Sequence, residues 1–265
     1  MAEWWTEFFD SDYLRIYRKR DARSAGPEAA LVRKVLALRR NHRVLDVCCG
    51  YGRHAILLAE AGMRVTGVDI NPLFLRRARA AAKRAGVEIA LIQSDVRSME
   101  LKPIFDAAVN MFTSIGYFEL EEDNFQVVAR AAAALKPGGR LLVDTINRDR
   151  IVRSPQWQQW MPMGRGVVVE TPAFDWNKGR LNSRRILVFP DGRRRETRFS
   201  LRLYTLAEMV VMFERAGLDV THAFGDFAGT PYTVDSPRIV IAGRKPLARR
   251  KVSTAGTMPG RAGRT

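Results

Sequence analysis

A chain of 265 residues, 46% apolar and 27% charged, suits one α/β domain carrying an insertion or a tail and excludes a second full domain. Forty-four Lys and Arg against 28 Asp and Glu give +16, which invites a nucleic-acid reading, yet seven basic residues and no acid follow Gly243, leaving +9 on the body. No run of about 18 apolar residues occurs, which excludes a membrane-spanning helix, and adjacent Cys48 and Cys49 exclude a disulfide framework.

The N-terminus lacks the basic region and continuous apolar core of a signal peptide, so a soluble, cytoplasmic protein with reduced thiols is expected. Trp4, Trp5, Phe8, Phe9, Tyr13 and Tyr17 recur at helical spacing, predicting one amphipathic helix or two short ones over residues 3 to 20. A second helix begins near Pro27 and Glu28 and carries Leu31, Val35 and Leu38. Residues 1–40 thus read as an N-terminal helical lid.

Strand–helix alternation then sets in: strand Val44 to Val47, helix Arg53 to Ala61, strand Arg64 to Val68, helix Pro72 to Ala85 closed by Gly86, and strand Glu88 to Gln93. Strand Phe105 to Asn110, helix Glu121 to Leu135, a turn at Lys136-Pro-Gly-Gly139 and strand Arg140 to Thr145 follow. Such alternation predicts a doubly wound, Rossmann-like, mostly parallel seven-stranded sheet. The core is expected over 41–147 and 205–245.

After Asn147 the rhythm changes. A Trp- and Gln-rich stretch from Pro155 to Pro162 precedes three β-like runs, Gly166 to Phe174, Leu181 to Phe189 and Glu196 to Tyr204, divided by Asn177-Lys-Gly179 and Pro190-Asp-Gly192. Asn, Asp and Gly tolerate tight-turn angles, so 148–204 reads as an inserted antiparallel β-sheet, on the acceptor side and a candidate contact for a homodimer. Helix Leu206 to Ala216 and strands Leu218 to Phe224 and Arg238 to Ala242 return to the main sheet. Residues 246–265, small, Gly-bearing and basic, read as a disordered tail.

The chemistry gathers at Asp46-Val-Cys-Cys-Gly-Tyr-Gly52 and at the next strand ends. Gly50 and Gly52 let a ligand approach the backbone, and the helix starting near Arg53 offers unpaired N–H groups. Asp69 is placed to accept two hydrogen bonds from a ribose diol, and Asp95 to accept the amino hydrogens of an adenine. A dinucleotide is the nearest rival, but Gly50-x-Gly52-x-x-Ala55 fits the pyrophosphate-binding spacing only in part.

Together with Val68-Asp69, Ser94-Asp95-Val96, Phe105-Asp106 and Leu135-Lys-Pro-Gly-Gly139, this set resembles the ordered motifs of class I S-adenosylmethionine-dependent methyltransferases. Cys48 stands where that family usually has its first glycine. The resemblance implies that Asp46, Cys48, Gly50 and Gly52 hold the methionine portion of S-adenosyl-L-methionine, Asp69 with Ile70 the ribose, and Asp95 with Val96 the adenine. Asn110 and Met111 would flank the sulfonium, beneath a tyrosine lid formed by Tyr17.

Phe112-Thr-Ser-Ile-Gly-Tyr117 and the inserted strands also resemble the aminosugar N-methyltransferases of antibiotic pathways. Because the N-terminal segment, this loop and the inserted strands flank the cofactor edge, Tyr13, Phe112, Tyr117, Trp157 and Trp160 are expected to surround the acceptor, and Tyr13, Tyr17, Glu170 and His222 are candidate bases should it be a hydroxyl. Asn110-Met-Phe-Thr differs from the Asn-Pro-Pro-Tyr of enzymes that methylate exocyclic base nitrogens. Both cysteines fall in the cofactor loop, away from a pyrimidine carbon-5 nucleophile's place, and His42, His54 and His222 show no metal spacing. The leading expectation is N- or O-methylation of a small molecule. Two further readings stay open: an RNA or ribosome-associated methyltransferase, and a non-catalytic partner subunit.

Overall fold

The computed structural model describes residues 3–21, 23–153 and 158–247. Trp157 and all but the first two residues of the expected tail lie outside them. The aromatic N-terminal segment forms two helices, α1 (Trp5–Phe8) and α2 (Ser11–Ile16), divided at Asp10, whose carboxylate accepts the N–H groups of Asp12 and Tyr13 and so starts α2. Helix α3 (Gly26–Val35) stops short of Leu38, the chain turning at Ala37 with a left-handed φ of 47°.

The alternation runs β1 (Arg43–Val47), α4 (Arg53–Glu60), β2 (Arg64–Asp69), α5 (Pro72–Ala85), β3 (Ala90–Gln93), β4 (Phe105–Asn110), α6 (Glu121–Ala133) and β5 (Leu135–Ile146). Then come α7 (Arg148–Arg153), β6 (Gln159–Met163), β7 (Gly166–Asp175), β8 (Arg180–Val188), β9 (Arg194–Arg202), α8 (Leu206–Arg215), β10 (Asp219–Phe224) and β11 (Arg238–Arg244). The main sheet has the order β10-β11-β5-β4-β1-β2-β3. Strand β11 alone runs antiparallel to the other six strands.

Strands covered on both faces need apolar residues at every position, hence the continuous runs. Leu45, Val47, Val143 and Ile241 pack on one face with Val127 of α6 and Phe213 of α8, whereas Val44, Val65, Leu142 and Val240 meet Leu31 of α3 and Leu58 of α4 on the other. Each such side chain contributes roughly 1.5–3 kcal/mol when fully buried. The chain moves outward from β1 to β3 and then returns to β4 on the opposite side of β1, so a crevice opens at the carboxyl ends of β1 and β4.

Four departures from expectation have local causes. The Trp- and Gln-rich stretch supplies a fourth inserted strand, β6, which pairs with β7 from Gln159↔Glu170 to Met163↔Gly166. Helix α7 follows Asn147, whose Oδ1 accepts the N–H of Asp149. The Lys136-Pro-Gly-Gly139 segment is an irregular start of β5 and not a separate turn: Leu135 opposes Phe105 and Arg140 opposes Ala107, with the surplus residues bulging where Gly138 turns left-handed. Strand β9 ends at Arg202, because the Arg202 N–H bonds to Gly116 O and the Leu203 N–H to Gly179 O, drawing the chain toward the main sheet.

Candidate active site

A cavity of about 490 Å³ opens at the carboxyl ends of β1 to β4, with α1 and α2 over it. Of the residues singled out in the sequence, it gathers Tyr13, Asp46, Cys48, Gly50, Asp69, Ile70, Asp95, Val96, Met111, Phe112 and Tyr117. Cys48, Gly50 and Gly52 all have positive φ (58°, 56° and 83°), so the loop bends in the left-handed sense at each of them. Cys48 meets that demand without a glycine. Burial pushes its thiol, and that of Cys49, well above the usual thiol range, so neither is a ready nucleophile.

The three acids at the strand ends are held differently. Asp69 accepts the Gly50 N–H at 2.8 Å and the Asn71 N–H at 2.8 Å, bracing the loop against the start of α5; burial nevertheless raises its carboxyl above the ordinary value. Burial also acts on Asp95, but hydrogen bonds from Arg97, one at 2.6 Å, outweigh it and hold that carboxyl low. Arg97 reaches on to Glu3 ahead of α1 and to Asp123 of α6.

Asp46 is 1% exposed, and its Oδ2 has no hydrogen-bond partner. Burial raises its carboxyl to about 6; Asp69 adds to the rise, while His54 and Arg53 oppose it.

Arg53 was not anticipated. It opens α4, 7% exposed, with Nη2 3.6 Å from Glu28 Oε2 and Nη1 unpartnered. A cation in the first turn of a helix opposes the helix dipole, a signal the sequence did carry. Its neighbour His54 lies 2.5 Å from Glu28 Oε2. Burial raises the Glu28 carboxyl, but the contacts with His54 and Arg53 outweigh that and leave it lowered. The guanidinium groups of Arg20 and Arg53 sit 4.3 and 5.2 Å from the Phe112 ring centre.

Aromatic rings close the cavity from the lid side. The Tyr13 ring lies edge-on to Phe9 at 5.0 Å between centres and tilted to Phe74 at 5.8 Å, and Phe9 lies tilted to Tyr117 at 5.3 Å. Burial pushes the phenols of Tyr13 and Tyr117 well above their ordinary range.

Other expected residues lie elsewhere. Asn110 is fully buried, its Nδ2 donating to Val47 O at 2.9 Å, so it braces β4 against β1 and does not line the cavity. Gly52 caps α4, where an added Cβ would come 3.0 Å from Ala78 Cβ; its smallness serves the packing of α4 on α5. The Tyr17 hydroxyl accepts from Arg185 Nη2 at 3.0 Å, and Glu170 pairs with Arg185 Nε at 2.6 Å, which withdraws both from the cavity wall. His222 is exposed on edge strand β10 and pairs with Thr221. Trp160, 75% exposed on edge strand β6, faces solvent.

Among the described residues no group of three His, Cys, Asp or Glu side chains is arranged for a metal ion, and no helix is long and apolar enough to cross a membrane.

Residues 44–139 match the family described as a methyltransferase domain. The chain is 29% identical over 202 residues to the cypemycin N-terminal methyltransferase of a Streptomyces species, covering 75% of this chain and 81% of that one. It is 33% identical over 131 residues to the ubiquinone biosynthesis O-methyltransferase of Idiomarina loihiensis, covering 46% of this chain and about half (52%) of that protein. The crystal structure of the sugar N-methyltransferase KedS8 from Streptoalloteichus sp ATCC 53650 superposes with a TM-score of 0.68 at 24% identity, covering 89% of this chain and 93% of that one, a likeness of fold. Residues 44–139 thus carry a methyltransferase domain, and the sheet order and the cavity agree with an S-adenosylmethionine-dependent methyltransferase.

Proposed function

We propose that this enzyme methylates an uncharged amine of a small-molecule acceptor, holding S-adenosyl-L-methionine along the β1–β3 edge. The observation that carries the cofactor placement is the pair of opposite, buried, unpartnered atoms in one cavity wall, Asp46 Oδ2 and Arg53 Nη1. Buried polar groups are nearly always satisfied. A zwitterionic amino-acid end satisfies both at once, its ammonium on Asp46 and its carboxylate on Arg53. Asp69 is left to take the ribose diol, and Asp95 with the Val96 backbone to take the adenine.

When bound, S-adenosylmethionine supplies an electrophilic methyl group on a sulfonium sulfur. The chain's own residues orient and desolvate. Phe9, Tyr13 and Tyr117 exclude water and present ring faces that favour the positive charge developing on an attacking amine. A hydroxyl acceptor requires a base, and the candidates are poorly suited: the Tyr13 phenol holds its proton, Glu170 is tied to Arg185, and His222 is remote on β10. A neutral amine needs none.

Calorimetry tests the cofactor placement. Arg53→Gln is expected to weaken S-adenosylmethionine at least tenfold while leaving 5′-methylthioadenosine, which lacks the amino-acid end, within twofold. Equal losses for both would remove Arg53 from that role. A panel of small primary and secondary amines and their matching alcohols tests the acceptor class; turnover confined to the alcohols overturns the amine reading.

A further inference from the structure

Directly after β4 the backbone does something unfavourable twice in succession. Phe112 and Thr113 both have left-handed backbones, φ 62° and 56°, and neither is glycine. L-residues are rarely found there, and such strain survives only where its surroundings over-determine it. Phe112 lines the cavity with Met111 and Ser114 on either side, and its ring carries the Arg20 and Arg53 guanidinium groups. The strained turn therefore forms part of the wall to which the acceptor must come.

What holds the turn lies outside the cavity. Asp144 of β5, 1% exposed, accepts the Phe112 N–H on Oδ2 at 2.8 Å, and its carbonyl accepts the Thr113 N–H at 2.9 Å. Arg238 of β11 forks onto the same carboxylate, Nε to Oδ1 at 2.7 Å and Nη2 to Oδ2 at 2.8 Å. Nη2 also donates to Thr113 Oγ1 at 2.9 Å, and the Ile146 N–H donates to that oxygen at 3.1 Å. The two strands sit side by side, Arg238 opposite Ile146 and Val240 opposite Asp144, so the guanidinium arrives from two register positions away. The Phe112 N–H and the Thr113 hydroxyl thus end on the Asp144–Arg238 ion pair, and the Thr113 N–H on the Asp144 main chain.

We propose that Asp144 and Arg238 are positioning residues for methyl transfer, clamping the strained Phe112–Thr113 turn so that the Phe112 ring and the flanking backbone meet the acceptor in one fixed geometry. The proposal rests on the methyl-transfer reading of the cavity. Neither residue lines the cavity, so their effect must pass through the turn, and a displacement near 1 Å at a reacting centre costs on the order of a hundredfold in rate. A clamp that served stability alone would act equally on cofactor binding and on turnover.

The test separates those quantities. In Asp144→Asn, turnover of the amine in the above panel that the wild type methylates fastest is expected to fall by one to two orders of magnitude. S-Adenosylmethionine affinity by calorimetry should stay within about threefold, and exchange of the Phe112 and Thr113 amides should accelerate. Adding Thr113→Gly to that variant is expected to restore part of the lost rate, because glycine adopts the left-handed conformation unaided. Should Asp144→Asn fail to fold, Arg238→Lys and Thr113→Val give the same contrast with smaller losses. A wild-type rate in a folded variant overturns the proposal, as does a parallel loss of cofactor affinity and turnover without glycine rescue. A wild-type protein that ignores S-adenosylmethionine instead strikes the functional reading itself.

Discussion

Asp46 shows how one carboxyl can couple cofactor, pH and stability. Its folded value near 6 lies about two units above the ordinary aspartate value of 3.8, chiefly through burial. The folded protein therefore favours the protonated form. That stabilising contribution is complete below about pH 4 and is lost as pH rises through about 6, so at pH 8 the buried charge costs about 3 kcal/mol. Asp46→Asn is thus predicted to raise the melting temperature of the cofactor-free protein at pH 8, at roughly 2–4 °C per kcal/mol for a chain of this size, and to raise it much less at pH 4.5. Cofactor affinity of the wild type should strengthen between pH 5 and pH 8, since only the ionised carboxylate attracts an ammonium; a pH-independent affinity, or an equal gain in melting temperature at both pH values, contradicts this account. Asp46, Asp69 and Asp95 could be found in the sequence because each lies at or just beyond the carboxyl end of an apolar strand. Arg53 and Arg97 could not be given partners there. Glu28 lies 25 positions before Arg53, Glu3 lies 94 before Arg97, and only the fold brings them together.

Among elements, the lid is tied down by arginines at several points. Arg97 holds Glu3 ahead of α1, Arg195 of β9 bonds Asp10 and Asp12, and Arg185 of β8 bonds the Tyr17 hydroxyl while paired with Glu170 of β7. The exposed ties are each worth little, about 0–1 kcal/mol. The buried one is different: Arg185 is 5% exposed, its guanidinium 5.3 Å from the Phe8 ring centre and 4.6 Å from that of Phe199. Removing one partner of a buried pair leaves an uncompensated charge and costs about 3–5 kcal/mol. Arg185→Met should therefore destabilise by that order in urea unfolding and accelerate amide exchange over α2, and Glu170→Gln in the same chain should recover much of the loss. No recovery in the double variant would mean that Arg185 acts through packing on the aromatic rings. The lid and the inserted sheet are thus one layered assembly, which the sequence showed only as separate aromatic and alternating segments. Strand β6 was obscured because Trp, Gln and Pro mask its alternation, and the irregular start of β5 because Pro-Gly-Gly signals a turn wherever it stands. The parallel core was legible because burial on both faces imposes its pattern on every residue.

For the whole molecule the question is what its surplus of positive charge meets. Arg76, Arg77, Arg79, Lys83 and Arg84 are exposed along α5, a solvated face, while the cavity itself is lined by Asp10, Asp46, Asp69 and Asp95 against Arg53 and His54. A phosphate backbone approaching that opening would meet carboxylates before it met the buried guanidinium. The charge on the outer surface and the chemistry in the crevice therefore address different partners, and salt distinguishes them. RNA held by the outer arginines must release counterions, so its affinity falls steeply with salt, by about 10³–10⁵ between 50 and 200 mM for six to ten phosphate contacts. An uncharged amine entering the crevice releases none. Turnover of the amine substrate is accordingly predicted to change by less than about threefold over the same range, and added RNA should leave it unaltered at 150 mM salt. Steep salt dependence of the methyl-transfer rate, or inhibition by RNA that competes with the amine, would reverse the assignment and make the basic surface part of acceptor recognition.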